Sequence, residues 1–233
     1  MRMGASIAAH AAGVTSFVIG SLLALGAADI RAAENAHADP APAAVAAPVK
    51  VLLHTQAGDI VIALDAEHAP LTAANFLRYV DLKRYDGAEF YRAVKIDEEG
   101  HYGMLQGGLR GSRVKELEPI AHESPAMTGL HHVDGAVSMA RNEPGTATSE
   151  FFIVVGDLSS LDGGEGDPGY AVFGHVEAGM AVVHELLGLP RSLDAGDGSM
   201  AGQMLANPVK ILSARRVVAG NGPDRAPVAP AAQ

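Results

Sequence analysis

The clearest indication of the fold lies in residues 138–153, Ser138-Met-Ala-Arg-Asn-Glu-Pro-Gly-Thr-Ala-Thr-Ser-Glu-Phe-Phe-Ile153. Two apolar ends are joined by a polar middle that contains Pro144 and Gly145, a pattern that predicts a strand, a wide loop and a second strand. Phe151 and Phe152 are adjacent, so in a strand their side chains point to opposite faces. One ring can therefore fill a core while the other lines a surface groove.

Alternating apolar and polar residues predict further β-strands on both sides of residues 138–153. Pro70 can open a helix, because the first helical position needs no backbone N–H donor, and apolar residues then recur at helical spacing to about Arg84. A second, shorter helical pattern covers residues 179–187. The predicted strands are residues 49–54, 59–64, 89–94, 103–106, 135–139, 151–155, 171–175 and 209–218.

Four further blocks flank residues 138–153 in a fixed order. They are Phe90-Tyr91-Arg92, Met104-Leu105-Gln106-Gly107-Gly108, Leu161-Asp162 and Tyr170-Ala171-Val172-Phe173-Gly174. Together the blocks resemble the signature of the cyclophilin-type peptidyl-prolyl isomerases over roughly residues 49–190. The resemblance implies a mainly β fold, a closed eight-stranded antiparallel barrel with two capping helices. Such closure removes exposed strand edges.

The resemblance also implies a reaction, rotation about an X-Pro peptide bond, whose barrier is about 18–20 kcal/mol because rotation breaks amide resonance. No covalent bond is made or broken, so no cofactor and no metal is expected. Arg92 matches the family's catalytic arginine, and Gln106 matches a glutamine that holds the substrate backbone and orients that arginine. Taken alone, Arg92 could also be an exposed strand residue in a minor ion pair, and Gln106 could merely stabilise a turn.

The resemblance assigns further residues to substrate binding. Four positions match apolar residues that form the family's proline pocket and its far wall. Two more match loop positions whose backbone contacts the substrate residue before proline. Each apolar member could instead be ordinary core. The predicted substrate-binding residues are Met104, Phe152, Leu161 and Tyr170 for the pocket, Ala140 and Arg141 for the loop, and Glu150 beside Arg92.

Several positions depart from the family pattern. Gly103 stands where many members have Phe, and Tyr170 replaces a frequent His. Arg141 replaces a common Asn, and Glu150 replaces a common Gln, so that Glu150 could pair with Arg92 or alter its electrostatic field. Residues 95–102 form an insertion. These changes resemble a bacterial branch of the family with a remodelled pocket.

The composition excludes several classes of function. The formal net charge is −10, with 27 acidic and 17 basic residues, which argues against a nucleic acid partner. Cysteine is absent, so no disulfide or thiolate site exists. The ten histidines, including His131 and His132, lack metal-ligand spacing and are expected to be solvated loop residues. Ser149 and His175 do not form a hydrolase motif.

The two ends differ in composition from the middle. Residues 1–38 contain Arg2 and an uncharged run over residues 11–28, which indicates a secretory signal peptide or an uncleaved membrane anchor. Residues 39–48 form a Pro/Ala linker, residues 49–219 the predicted isomerase domain, and residues 220–233 a tail expected to be disordered. The predicted location is the periplasm or cell envelope, with an inner-membrane-anchored form facing the periplasm as the alternative.

The sequence therefore predicts an exported peptidyl-prolyl isomerase that acts on proline-containing unfolded or partly folded polypeptides. Two alternatives stay open, a noncatalytic module that binds proline-containing peptides and an envelope assembly factor tethered by its N-terminal segment. A monomer is expected, with membrane contact only through an uncleaved N-terminal segment.

Overall fold

The computed structural model describes residues 48–110 and 116–217. The predicted signal peptide or anchor, nearly all of the predicted linker and the C-terminal tail lie outside the described residues. Among the residues that are described, no helix is long and apolar enough to span a membrane.

Eight antiparallel strands of the described residues form a closed barrel, as the family resemblance implies. The strands are β1 Lys50–Thr55, β2 Gly58–Leu64, β3 Glu89–Lys95, β4 Gly103–Gly108, β5 Ala136–Met139, β6 Phe151–Val155, β7 Ala171–Ala178, β8 Arg191–Ser192 and β9 Met204–Val217. The barrel strands pair in the order β1-β2-β7-β5-β6-β4-β3-β9, and β9 pairs with β1 to complete the ring. The remaining strand, β8, has two residues and pairs with the start of β9.

Strand β9 closes the barrel because it is long enough to contact both of its neighbours. Its first half pairs with β3 and its second half, from Ile211 onward, pairs with β1. The sequence pattern predicts only residues 209–218, so the strand begins five residues earlier than expected, at Met204. Pro208 explains the difference, since it has no backbone N–H and interrupts the alternation. The register between β3 and β9 shifts at this point.

Three α-helices occur among the described residues: α1 Pro70–Asp81, the four-residue α2 Pro125–Thr128, which the sequence pattern misses, and α3 Met180–Leu187. Helix α1 begins at Pro70 as predicted but ends at Asp81, three residues before the predicted end. Its first backbone N–H groups are capped from a distant loop. The buried carboxylate of Glu123 accepts hydrogen bonds from the backbone N–H groups of Leu71 and Thr72, at 3.0 and 2.7 Å. A negative charge is favourable at this end of a helix.

Strand β6 separates two apolar clusters. Phe151 lies in the main core inside the barrel, where its ring meets those of Phe76, Tyr85 and Phe90 edge-on at 5.4, 5.7 and 5.8 Å. Phe152 points the other way and belongs to a smaller cluster on the outer face. The opposite orientation of the two rings confirms the strand geometry predicted from their adjacency.

Candidate active site

An open pocket of about 440 Å³ lies on the outer face of the barrel beside Phe152. All of the site residues predicted from the sequence line this one pocket: Arg92, Met104, Gln106, Ala140, Arg141, Glu150, Phe152, Leu161 and Tyr170. Strands β3, β4 and β6 supply one wall, and the loop after β5 and the segment before β7 supply the other. The barrel thus collects residues that are up to 78 positions apart in the chain, from Arg92 to Tyr170.

Arg92 on β3 lies directly opposite Gln106 on β4. Its terminal nitrogen Nη1 donates to Gln106 Oε1 at 2.8 Å, while Nε and Nη2 donate to Gln203 Oε1 at 2.9 and 2.6 Å. Partial burial lowers the pKa of Arg92 from its usual range, but an arginine remains protonated in proteins. Two amide oxygens therefore hold a permanent cation in one orientation.

Glu150 does not take Arg92 as its hydrogen-bond partner, which was one of the two roles that the sequence suggested. Its Oε2 accepts instead from the hydroxyl of Tyr91, at 2.5 Å, and its Oε1 accepts from Ser149 Oγ at 3.0 Å. The pairing of β3 with β4 shifts register between Phe90 and Arg92, so Tyr91 and Arg92 both line the pocket, and it is the hydroxyl of Tyr91 that reaches Glu150. Tyr91 and Gln203 both belong to the site, and sequence reasoning missed both.

The apolar part of the pocket is built around the ring of Phe152. Tyr170 meets this ring edge-on at 5.6 Å, and Met104 and Leu161 pack against the same cluster. Leu161 lies in a 3-10 helix, Ser159–Asp162, and its carbonyl accepts from the backbone N–H of Tyr170 at 3.0 Å. Phe152 itself is 3% exposed, so its ring has a fixed position in the pocket wall.

Arg141 contributes more than the backbone contact expected of it. Its side chain is 7% exposed, lies 4.8 Å from the centre of the Tyr170 ring and donates to the carbonyl of Gly169. A second donor reaches the carbonyl of Asn142. The guanidinium therefore joins the loop after β5 to the segment before β7, and it fixes the two sides of the pocket relative to each other.

Gly103 begins β4 where many family members have a bulky Phe. A Cβ at this position would lie 2.3 Å from the carbonyl oxygen of Val94 and 3.3 Å from the side chain of Leu187. The close approach leaves no room for a side chain in this conformation. Gly103 therefore differs from the family's Phe at a position where α3 packs tightly against the barrel.

His132 is fully buried behind the pocket, which corrects the prediction of a solvated loop histidine. Its ring stacks on Phe152 with centroids 5.8 Å apart and an interplanar angle of 9°. Nδ1 lies 2.6 Å from Asp162 Oδ1, and Nε2 lies 3.0 Å from Ser138 Oγ. A neutral ring satisfies both contacts when Nδ1 carries the proton and Nε2 accepts from the serine. The neighbouring His131 is exposed, as expected for adjacent residues.

These contacts predict a pH dependence of stability. Burial lowers the pKa of His132, although Asp162 opposes the shift. In the unfolded chain His132 binds a proton near pH 6.5, whereas in the folded chain it binds that proton only at lower pH. The free energy of unfolding should therefore fall as the pH drops from 7.5 to 5.5. The slope for one group is at most about 1.4 kcal/mol per pH unit. Chemical denaturation of the protein and of His132→Gln at several pH values measures the slope. The variant should show the smaller decline.

The titration of Asp162 and of His68 does not interfere with this comparison. Burial alone would raise the pKa of Asp162, but hydrogen bonds from His132 and His131 lower it from its ordinary value, away from this pH window. The pKa of His68 is raised by its hydrogen bond to Asp65, so its contribution to stability has the opposite sign and is common to both proteins. Equal slopes for the protein and His132→Gln would contradict the assignment.

One group of candidate metal ligands occurs among the described residues. Asp97, Glu99 and His101 place ligand atoms within 4.8 Å of one another on the turn between β3 and β4. The carboxylate of Asp97 already accepts hydrogen bonds from the backbone N–H groups of His101 and Tyr102, at 3.1 and 2.9 Å. The cluster is therefore explained as the hydrogen bonding of an exposed turn.

Comparisons with known proteins agree with this geometry. The family described as cyclophilin type peptidyl-prolyl cis-trans isomerase/CLD matches residues 50–216. Peptidyl-prolyl cis-trans isomerase A of Dickeya dadantii is 43% identical over 140 residues, covering 58% of this chain and 70% of the relative. The isomerase cyp18 of Streptomyces antibioticus is 38% identical over 172 residues, covering 71% of this chain and 96% of the relative.

A solved structure supports the fold. The cyclophilin-type isomerase of Cryptosporidium parvum, crystallised in the presence of the dipeptide Ala-Pro, superposes with a TM-score of 0.59 at 21% identity, covering 72% of this chain and 99% of that one. The family match spans the whole barrel from β1 to β9. By sequence and by fold, the chain belongs to the cyclophilin-type peptidyl-prolyl cis-trans isomerase family and is an isomerase.

Proposed function

We propose that this protein is an exported bacterial isomerase that accelerates X-Pro rotation in unfolded or partly folded polypeptides, with Arg92 as the principal hydrogen-bond donor. The observation that carries the proposal is the position of the Arg92 guanidinium. It is half-buried, it is held by Gln106 and Gln203, and it lines the same pocket as the ring of Phe152.

The proposed chemistry follows from what a twisted amide requires. Rotation removes amide resonance, so the prolyl nitrogen regains a lone pair that can accept a hydrogen bond. A guanidinium has five N–H donors, and three of those on Arg92 are engaged with Gln106 and Gln203. The remaining two can donate to the substrate. A donor that binds the twisted amide better than the planar isomers lowers the barrier.

The apolar part of the pocket is proposed to take the proline ring. Met104, Phe152, Leu161 and Tyr170 supply its surface, and burial of apolar area contributes about 25 cal/mol per Å². The backbone at Ala140 is proposed to contact the residue before proline. The relatives named above are called peptidyl-prolyl cis-trans isomerases, which supports proline-containing peptides as the substrate class.

Refolding of a protein whose slow phase is limited by X-Pro isomerisation tests the proposed activity. The slow phase takes tens to hundreds of seconds without catalysis, and its rate should rise in proportion to the concentration of this protein. Phe152→Ala, which removes the main apolar surface for proline, should lower the acceleration. If the rate of the slow phase does not change although this protein binds the unfolded chain, the result would support the noncatalytic binding module instead.

The proposal of export rests on residues 1–38, with Arg2 followed by the uncharged run over residues 11–28. Residues 39–48 would then give the barrel reach from a signal remnant or an anchor. Fractionation of bacteria that express the full chain, followed by mass spectrometry of the N-terminus, tests this directly. A shortened chain in the periplasm supports cleavage, and an intact chain in the inner membrane supports the anchored form. An intact chain in the cytoplasm contradicts export.

A further inference from the structure

A continuous chain of side-chain hydrogen bonds runs behind the pocket and ends at Arg92. Ser149 and Tyr91 both donate to the carboxylate of Glu150, at 3.0 and 2.5 Å. Nε2 of Gln106 lies 2.8 Å from the hydroxyl oxygen of Tyr91, and Oε1 of the same amide accepts from Arg92 at 2.8 Å. Tyr91 and Gln106 are 6% and 7% exposed, so water has little access to the middle of the chain.

The chain has only one consistent direction. A carboxylate accepts hydrogen bonds and donates none, so the single hydroxyl proton of Tyr91 goes to Glu150. The hydroxyl oxygen must then accept from Gln106, which places the amide nitrogen of Gln106 toward Tyr91. Its amide oxygen is therefore the atom that faces the guanidinium of Arg92. The donors of Arg92 require the same orientation, so Glu150 and Tyr91 on one side and Arg92 on the other fix both ends of the Gln106 amide.

Two further features show that this arrangement is built into the strands. Burial and the negative charge of Glu150 raise the pKa of Tyr91 far above its usual range, so the phenol keeps the proton that it donates. Gly108 on β4 makes room for the carboxylate, because a Cβ there would lie 2.6 Å from Glu150 Oε2. Glycine also suits the backbone of Gly108, whose φ is +147°.

We propose that Glu150 and Tyr91 are positioning residues, which fix the orientation of the Gln106 amide and through it the guanidinium of Arg92. The inference rests on the proposed role of Arg92 and deepens it. Without the tyrosine hydroxyl, the buried NH₂ group of Gln106 loses its acceptor, so the side chain can rotate toward another acceptor and carry its oxygen away from the guanidinium. Arg92 then loses one of its two fixed acceptors and becomes mobile in the pocket.

Tyr91→Phe and Glu150→Gln test the inference, since each keeps nearly the size of the side chain. Both should lower kcat by between about 10- and 100-fold, the range that misplacement of a catalytic group produces, with a smaller change in KM. The double variant should lose little more than either single variant, because both changes break the same chain. Tyr102→Phe and Glu177→Gln are matched controls at exposed positions, where kcat should stay unchanged.

A second readout separates this inference from the proposed activity. The side-chain NH₂ resonances of Gln106 can be followed by NMR without any peptide, after assignment with Gln106→Glu. Both variants should shift these resonances and the controls should not, whether or not the protein is active. Unchanged resonances in either folded variant, or an undiminished kcat beside shifted resonances, would overturn the inference. If the unmodified protein has no isomerase activity, that result would instead count against the proposed function.

Discussion

Replacement of Arg92 by alanine should lower kcat/KM for an X-Pro peptide by about 10²- to 10³-fold, the usual effect of removing one preorganised donor from a transition state. The donor acts on a nitrogen whose lone pair appears only in the twisted amide, so kcat should fall more than peptide affinity. A steady-state isomerisation assay measures the first quantity, and calorimetric titration with the peptide measures the second.

Two other variants sharpen this prediction. Arg92→Lys keeps the charge but loses the planar fork that contacts Gln106 and Gln203 together, so it should recover little of the rate. Arg78→Ala removes an exposed arginine on α1 and should leave the rate unchanged. A rate for Arg92→Ala that is close to that of Arg78→Ala would remove Arg92 from the mechanism.

Phe151→Ala should lower the free energy of unfolding by about 3–5 kcal/mol, the range for truncating a buried aromatic ring. The ring is fully buried and packs edge-on against Phe76, Tyr85 and Phe90. Urea denaturation followed by circular dichroism gives the difference. A loss of this size is a large part of the stability of an ordinary domain.

The adjacent residue supplies the control for this prediction. Phe152 belongs to the small outer cluster and lines the pocket. Phe152→Ala should therefore lower the free energy of unfolding less than Phe151→Ala does, and lower the isomerase activity more. The comparison is sharp because the two rings are equal in size and adjacent in sequence. If Phe152→Ala were the more destabilising of the two, the division of β6 into a core face and a pocket face would be wrong.

The features that the sequence predicted correctly depend on local pattern. Alternation and the adjacent phenylalanines of β6 determine which side chains face the core, and Pro70 marks the start of α1 because local stereochemistry decides both. The pocket residues were predicted through family motifs, and the barrel brings them all to one pocket. What these residues do in catalysis stays a prediction.

The features that the sequence missed depend on partners far along the chain. Glu123 caps α1 from 52 residues beyond Leu71, and Gln203 holds Arg92 from 111 residues away. His132 looks like a loop residue until Asp162 and Ser138 are seen on either side of it. Periodicity contains no information on such pairs. Pro208 misled the prediction for β9 because a strand tolerates it only at an irregular pairing.

Exchange spectroscopy on an X-Pro peptide tests the central claim most directly. Separate NMR signals of the cis and trans forms report their exchange rate at equilibrium, with no second enzyme and no folding step. With a catalytic amount of the full chain, exchange should become much faster than the uncatalysed tens to hundreds of seconds, while the cis/trans ratio stays the same. A peptide that binds the protein and still exchanges at the uncatalysed rate would contradict the claim that this chain is a working isomerase.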